Sequence, residues 1–548
     1  MTESSVSREE MRRLSKLSPF ELKGELIALA ARSGDENSRS MLNAGRGNPN
    51  WIATGPREAF FALGAFAIEE SRRVWTADNL GGMPARSGVA ERFRTFVQRN
   101  PGMAGIGLLE RCVSYAVSAL GFDADAWVHE LVDGLIGDNY PVPDRILTHC
   151  QEVVRSYVAA EMYGSESPEG SFDVFATEGG TAAMCYIFDS LMVNKVLRKG
   201  DKIALLVPTF TPYIEIPHLE RYGFEVVKVE ANLFAEAGVR EWRYPDAEID
   251  KLADPSVKAV FVVNPSNPPS VEMSDHVRDR IVDIVKHHNR ELIVVTDDVY
   301  GTFVDGFTSL VAAIPQNTLL VYSYSKHYGC TGWRLGVIAL HQDNVIDRMI
   351  AALPAEERAA LDERYGSLQL DPWNLKFIDR MVADSREVAL NHTAGLSLPQ
   401  QVQMMLFSLF DLLPEGQEYK KLIQSIVHRR LDLLLEGSGM KIADDPKRAA
   451  YYIELDILAE AEREQGKEFA DYLEATYEPT DILFRLAEQT SVVLLNGGGF
   501  DGPEWSVRVS LANLDDLDYL KIGHSVREVL DGYLAEWRAV TPVGAWSE

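Results

Sequence analysis

The chain has little cysteine, no long apolar run and a deficit of positive charge. Its four cysteines, Cys112, Cys150, Cys185 and Cys330, are scattered through 548 residues with no C-x-x-C pair and no metal-ligand spacing. That pattern excludes a disulfide framework and gives no reason to expect a metal, and it fits a reducing cytoplasm. No apolar stretch approaches the roughly 18 residues that cross a bilayer. The opening residues, MTESSVSREEMRRLSKLS, are polar with no hydrophobic signal core behind them, so neither membrane insertion nor export is expected. Against 82 acidic residues stand 54 basic ones, a formal charge of −28. This repels nucleic acid and anionic lipid, and an anionic small molecule would need a local basic pocket. Low-complexity tracts and repeats are missing too. What remains is the composition of a packed globule, 46% hydrophobic and 25% charged, in a chain too long for one core.

From about Phe172 to Leu340, short β-branched runs alternate with helical patterns, which predicts βαβ crossovers and a mainly parallel sheet covered on both faces. Strands are expected at DKIALLVP (from Asp201), KAVFVVNP (from Lys258), ELIVVTDD (from Glu291), TLLVYSYS (from Thr318) and RLGVIAL (from Arg334). Helices are expected near 180–198 and 274–288. Beyond about Asp384 the pattern turns to longer helices, Tyr419–Glu436 and Leu517–Arg538, around short strands in AAYYIELDI, SVVLLN and SVRVSLA. Residues 1–42 and about 56–135 read as helical. The expected division is an N-terminal segment (1–55), a helical insertion (56–140), a large α/β domain (141–385) with a helical insertion near 352–385, and a smaller α+β domain (386–548).

In open α/β sheets the loops after the strands line the ligand crevice, and there the unusual residues lie. Lys326 in SYSKHYGCTGWRLG follows an apolar strand. Desolvation at such a place makes an amine nucleophilic, as a Schiff base to a carbonyl cofactor requires. Alone, that lysine reads as readily as a solvated loop residue. One strand earlier, TDDVYGTF places Asp297 where a carboxylate could keep a pyridinium protonated, and Tyr300 where a phenol could meet a ring hydroxyl. NPSNPPS supplies Asn264 and Asn267. ATEGGTAAM sets Gly179, Gly180 and Thr181 at a helix start, where backbone N–H groups cradle phosphate. Singly, each is also an ordinary cap or turn.

In chain order, GGT, NPSNPP, DDVY, SYSK and WRLG resemble the fold type I enzymes that depend on pyridoxal 5′-phosphate (PLP), the aspartate aminotransferase family. The resemblance implies PLP bound covalently to Lys326, with Asp297 on the pyridine nitrogen and Tyr300 and Asn267 near the ring oxygen. It implies a phosphate held by Gly180, Thr181, Ser323 and Arg334, and a ring stacked by Phe210, where the family usually has Trp or Tyr. Arg508 in WSVRVSLAN matches the arginine that grips the substrate α-carboxylate; on sequence alone it is equally a strand-face arginine in an ion pair. Tyr140 in DNYPVP resembles a tyrosine that reaches the phosphate from a neighbouring subunit, which makes a homodimer the minimum unit of a homo-oligomer; as a bare residue it reads as well as a core tyrosine.

NAGRGNPNW lies where that family carries a glycine-containing substrate lid, with Arg46 at a position ordinarily apolar. A charge between two glycines predicts a carboxylate partner, against the plain reading of a solvated loop arginine. With that loop, the long helical stretch before DNYPVP and the insertion near 352–385, the chain resembles the aspartate 4-decarboxylases, a PLP branch that retains aminotransferase activity. The implied reaction is β-decarboxylation of L-aspartate to L-alanine and CO2, with Lys326 moving the α-proton. The competing expectation is an aspartate or aromatic aminotransferase without decarboxylase activity. A regulator carrying a non-catalytic PLP fold would need a basic DNA-binding region, for which residues 1–42 are too short.

Overall fold

The structure is a computed structural model that describes residues 4–37, 40–235, 238–388 and 395–540. It begins with helices Arg8–Leu14 and Pro19–Asn37 and a two-residue strand, β1 (Leu42–Asn43). Four helices follow, Thr54–Val74, Val89–Arg99, Ile106–Ala119 and Ala124–Ile136. They pack on one another, and Thr54–Val74, Ile106–Ala119 and Ala124–Ile136 also pack against helix Leu398–Asp411.

The central sheet has seven strands: β2 (Phe172–Thr177), β3 (Lys202–Val207), β4 (Glu225–Glu230), β5 (Val257–Val263), β6 (Ile293–Asp297), β7 (Thr318–Ser323) and β8 (Gly336–His341). Their spatial order is β2-β8-β7-β6-β5-β3-β4, with β8 alone antiparallel to its neighbours. Strands β2, β6, β7 and β8 are buried at every position, which is why they read as unbroken apolar runs. Two strands went unnamed in the sequence, β2 and the edge strand β4, whose EVVKVE is largely half-buried or exposed. The strand expected from Arg334 starts at Gly336 instead, because Arg334 has φ +57 and closes a turn before the ladder begins.

Helices cover both faces. Asp275–His287 shows why they form: Ser274 accepts a hydrogen bond from Val277 N at its start, and Val277, Ile281, Ile284 and Val285 make one buried stripe. Two 25-residue helices, Pro414–Ser438 and Asp516–Val540, pack backbone to backbone. A Cβ on Gly437 would lie 2.4 Å from Leu520 O, and one on Gly523 would lie 2.3 Å from Leu434 O.

The remaining strands are β9 (Tyr452–Asp456), β10 (Val492–Val493), β11 (Leu495–Asn496) and β12 (Ser506–Ser510). SVVLLN, expected as one strand, is split: β10 pairs with β1, and after Leu494 the chain changes partner so that β11 pairs with β12. The segment from Leu42 therefore runs beside the C-terminal strands, with Ser510 N donating to Ala44 O at 2.8 Å. Among the described residues no helix is long and apolar enough to cross a membrane.

Candidate active site

Register explains how distant motifs meet. Gly336 pairs with both Thr177 and Ser323, so the chain after β2, the chain after β7 and the turn before β8 share one edge of the sheet. Asp297 ends β6 opposite Val263, at the end of β5, which brings the Asn264–Asn267 loop alongside. Here a cavity of about 230 Å3 opens. Ten of the expected residues line it: Gly180, Thr181, Phe210, Asn267, Asp297, Tyr300, Ser323, Lys326, Arg334 and Arg508.

Gly179, with φ +99 and ψ 169, ends the turn before helix Gly180–Val193. A Cβ there would lie 2.5 Å from the Arg334 guanidinium. The missing side chain is what lets that guanidinium sit against bare backbone at a helix N-terminus, beside Ser323 and Ser325, whose hydroxyls are 3.0 Å apart. Helix-start N–H groups, two hydroxyls and a guanidinium make an anion cradle.

Asp297 is buried on the floor. It accepts from Tyr213 Oη at 3.2 Å and Val299 N at 3.3 Å. Burial raises its pKa to about 6, against the pull of those hydrogen bonds and of Lys326. Next to it, Asp298 rises to about 8 through burial and accepts from Thr296 Oγ1 at 2.5 Å. A buried carboxylate of this kind suits a cationic ring nitrogen.

Lys326 Nζ donates to Gly47 O at 2.7 Å. Its loop is held from behind by Trp51, whose Nε1 lies 3.1 Å from both Lys326 O and His327 O. Arg508 is 1% exposed. Its guanidinium reaches Asn267 Oδ1 at 3.4 Å and Gly45 O at 3.3 Å, and Nε has no partner. No carboxylate among the described residues lies within salt-bridge distance of it. Burial lowers its pKa, and it lies 4.4 and 4.8 Å from the ring centres of Tyr452 and Phe500. A buried cation without a counter-ion is costly and fits an anionic ligand. Anion cradle, buried acid, aromatic Phe210 and adjacent amine together fit the phosphate, ring and aldehyde of PLP.

The sequence profile of the class I and II aminotransferases matches residues 174–522. The chain belongs to that family. A protein of Pseudomonas sp. named bifunctional aspartate aminotransferase and L-aspartate beta-decarboxylase is 48% identical over 97% of this chain and 99% of its own length. Among solved structures, aspartate aminotransferase from Thermus thermophilus with maleate has a TM-score of 0.56 at 17% identity, covering 92% of this chain and 96% of its own. The aromatic aminotransferase from Pyrococcus horikoshii OT3 has a TM-score of 0.55 at 16% identity, covering 92% and 99%. These two share the fold. As a class I and II aminotransferase the chain uses pyridoxal 5′-phosphate.

Two expected site residues stand apart from the wall. Tyr140 is 66% exposed, and Arg46 is exposed beside the wall residue Gly47. Conversely, this aminotransferase site contains Phe20, Gly47, Val263, Val299, Ser325, Thr331 and Tyr452, none of them assigned from the sequence. Gly47, Val299, Ser325 and Thr331 lie inside motifs already singled out. Phe20 and Tyr452 carried no signal, one being a helix aromatic near the N-terminus and the other a residue of an apolar strand. Half-buried Lys23 is a further addition: burial lowers its pKa, helped by the nearby cations Arg508 and Arg46.

Proposed function

We propose that this chain converts L-aspartate to L-alanine and CO2, with transamination to oxaloacetate as a side reaction. The observation that carries the reading is its end-to-end match to the bifunctional Pseudomonas protein. The site chemistry supports it. When bound, PLP supplies an electrophilic aldehyde and a cationic ring that draws electrons from the substrate's reacting carbons. Lys326 would hold the aldehyde and, once released by the incoming amine, remove and return the proton at the α-carbon. Asp297 would stabilise the proton on the ring nitrogen, relieving its own uncompensated burial. Tyr300 and Asn267 would face the ring oxygen, Phe210 its face, and Gly180, Thr181, Ser323 and Arg334 the phosphate.

Arg508 would take the α-carboxylate in a fork of hydrogen bonds. For the side-chain carboxylate the mouth offers Lys23 and Arg46. A tight forked grip on that group would stabilise the charge that must vanish as CO2 and slow the reaction. Arg46, exposed and without a described ion-pair partner, is suited to orienting this end of the substrate and excluding water. An acidic side chain favours aspartate over an aromatic substrate at such a mouth.

We also propose a cytoplasmic homo-oligomer with a dimer as its minimum unit. Its support is the outward-facing Tyr140 together with individually exposed apolar side chains in the helical segment before it, including Phe61 at 67% exposure. The proposed domain division is the one given above, with residues 56–140 serving oligomer contacts.

The test is incubation of the purified chain with PLP and L-aspartate and no keto acid acceptor. Alanine and CO2 should accumulate over many turnovers while oxaloacetate stays minor. Oxaloacetate limited to one equivalent per site, with no CO2, would leave a plain aminotransferase.

A further inference from the structure

Conversion of aspartate to alanine and CO2 consumes one proton, which must reach the β-carbon where the carboxylate left. The polar wall divides by position. Thr181, Ser323, Ser325 and Arg334 surround the anion cradle, while Asp297 lies at the end of β6 and Asn267 in the loop after β5. Beside Arg508, the wall groups with a transferable proton are Lys326, already engaged at the α-carbon, and Tyr452, with Tyr300 behind it, while Lys23 lies outside the wall.

We propose that Tyr452 is a catalytic acid of this site, whose phenolic O–H delivers the proton that replaces the departing carboxylate. The assignment rests on the decarboxylase reading above. Tyr452 lies on β9 diagonally across from Arg508 on β12; the register pairs Ser510 with Tyr452 and Arg508 with Glu454, so both side chains share one face. It is 2% exposed. Its oxygen and the Lys326 amine converge on one spot: a Cβ added to Gly47 would lie 2.9 Å from Tyr452 Oη and 3.2 Å from Lys326 Nζ. The two proton carriers thus flank one small volume, as a reaction at neighbouring carbons requires.

The surroundings also accommodate the phenolate left behind. Tyr300 donates its hydroxyl to Tyr452 Oη at 3.3 Å, and the Arg508 guanidinium lies 4.4 Å from the ring centre. Lys326 and the ring of Tyr451 are further neighbours, Glu454 shares the same strand face, and Lys23 stands near enough to couple to it. Burial works to raise a phenol's pKa, yet Lys326, Arg508 and the hydrogen bonds outweigh it and hold Tyr452 below the ordinary tyrosine value. In the step itself, the bond between the β-carbon and the carboxyl carbon breaks and CO2 leaves. The electron pair stays with the substrate, the β-carbon takes the phenolic proton, and solvent returns a proton to the phenolate. One proton is consumed, and no oxidant or reductant is needed.

The test is Tyr452→Phe in the PLP-loaded protein, which keeps the ring and removes the proton. Alanine formation from L-aspartate should fall about 100-fold or more, the range of a lost general acid. Oxaloacetate formation, which needs no proton at the β-carbon, should change less than threefold. A common fall in both products, or unchanged alanine formation, overturns the assignment. A readout independent of turnover is the 295 nm absorbance of the PLP-free protein titrated with pH, where the Lys326 amine is free to act on Tyr452. One tyrosine ionising below the others should disappear in the variant, and its persistence overturns the assignment as well. A wild-type chain making oxaloacetate but no alanine sinks the decarboxylase reading and the acid role with it; a variant making alanine normally sinks the acid role alone.

Discussion

Replacing Gly179 with alanine separates backbone strain from cofactor binding. Gly179 sits at φ +99, ψ 169, a region almost closed to residues with a Cβ, so the substitution costs about 1–3 kcal/mol of strain. The new methyl would also lie 2.5 Å from the Arg334 guanidinium. The guanidinium, being the end of a flexible side chain, moves away from the cradle. Losing one charge-assisted contact to phosphate is worth about 1.5–3 kcal/mol, which converts to about 10- to 150-fold weaker PLP binding. Gly466 provides the control: it has φ +89, ψ 168 and nothing within 4 Å of a built Cβ. Gly466→Ala should lose similar stability to Gly179→Ala in thermal unfolding without added PLP and keep its PLP affinity. Equilibrium titration of PLP by cofactor absorbance is the assay. If Gly179→Ala bound PLP within twofold of wild type, the cradle would be wrongly placed.

Lys326→Ala should abolish both the covalent cofactor absorbance and turnover; a retained covalent spectrum would refute the assignment of the amine. Arg508→Lys keeps the charge but loses the fork, so KM for aspartate should rise about 10- to 100-fold with the cofactor spectrum unchanged; an unaltered KM would place the substrate elsewhere. Arg46→Ala should shift the ratio of alanine to oxaloacetate, and an unchanged ratio with unchanged rates would remove it from the site. Glu454 gives a pH test. Burial raises its pKa to about 8 in the folded chain, against about 4.3 unfolded. The folded state therefore holds this proton more tightly, and stability drains away as pH rises from about 4 to about 8. Glu454→Gln keeps an acceptor for Ser506 Oγ and should raise the melting temperature at pH 8 while changing it little at pH 4; equal shifts at both would contradict this origin.

Motif chemistry was legible wherever a residue type is unusual for its place. A lysine after a buried strand, an aspartate ending one and paired glycines opening a helix each break a local rule, and register alignment brings them to one wall. Phe20, Lys23 and Tyr452 break none. A phenylalanine and a lysine in an N-terminal helix, or a tyrosine in an apolar strand, obey ordinary patterning, so only folding reveals what they face. The split of SVVLLN was hidden for a related reason: periodicity reports how apolar a run is and not which neighbour each half pairs with.

Local sequence marked five of the seven central strands, two of the covering helices and the loops in which the candidate amine, acid and anion-binding residues lie, because strand burial and helix starts leave their mark within a few consecutive residues. Tertiary structure decided the substrate end. Gly47 reaches Lys326 across 279 residues, and Arg508 reaches Gly45 across 463. Contacts between such distant segments depend on how β1, β9 and β12 dock against the main sheet, a property of the packed whole that no short window contains.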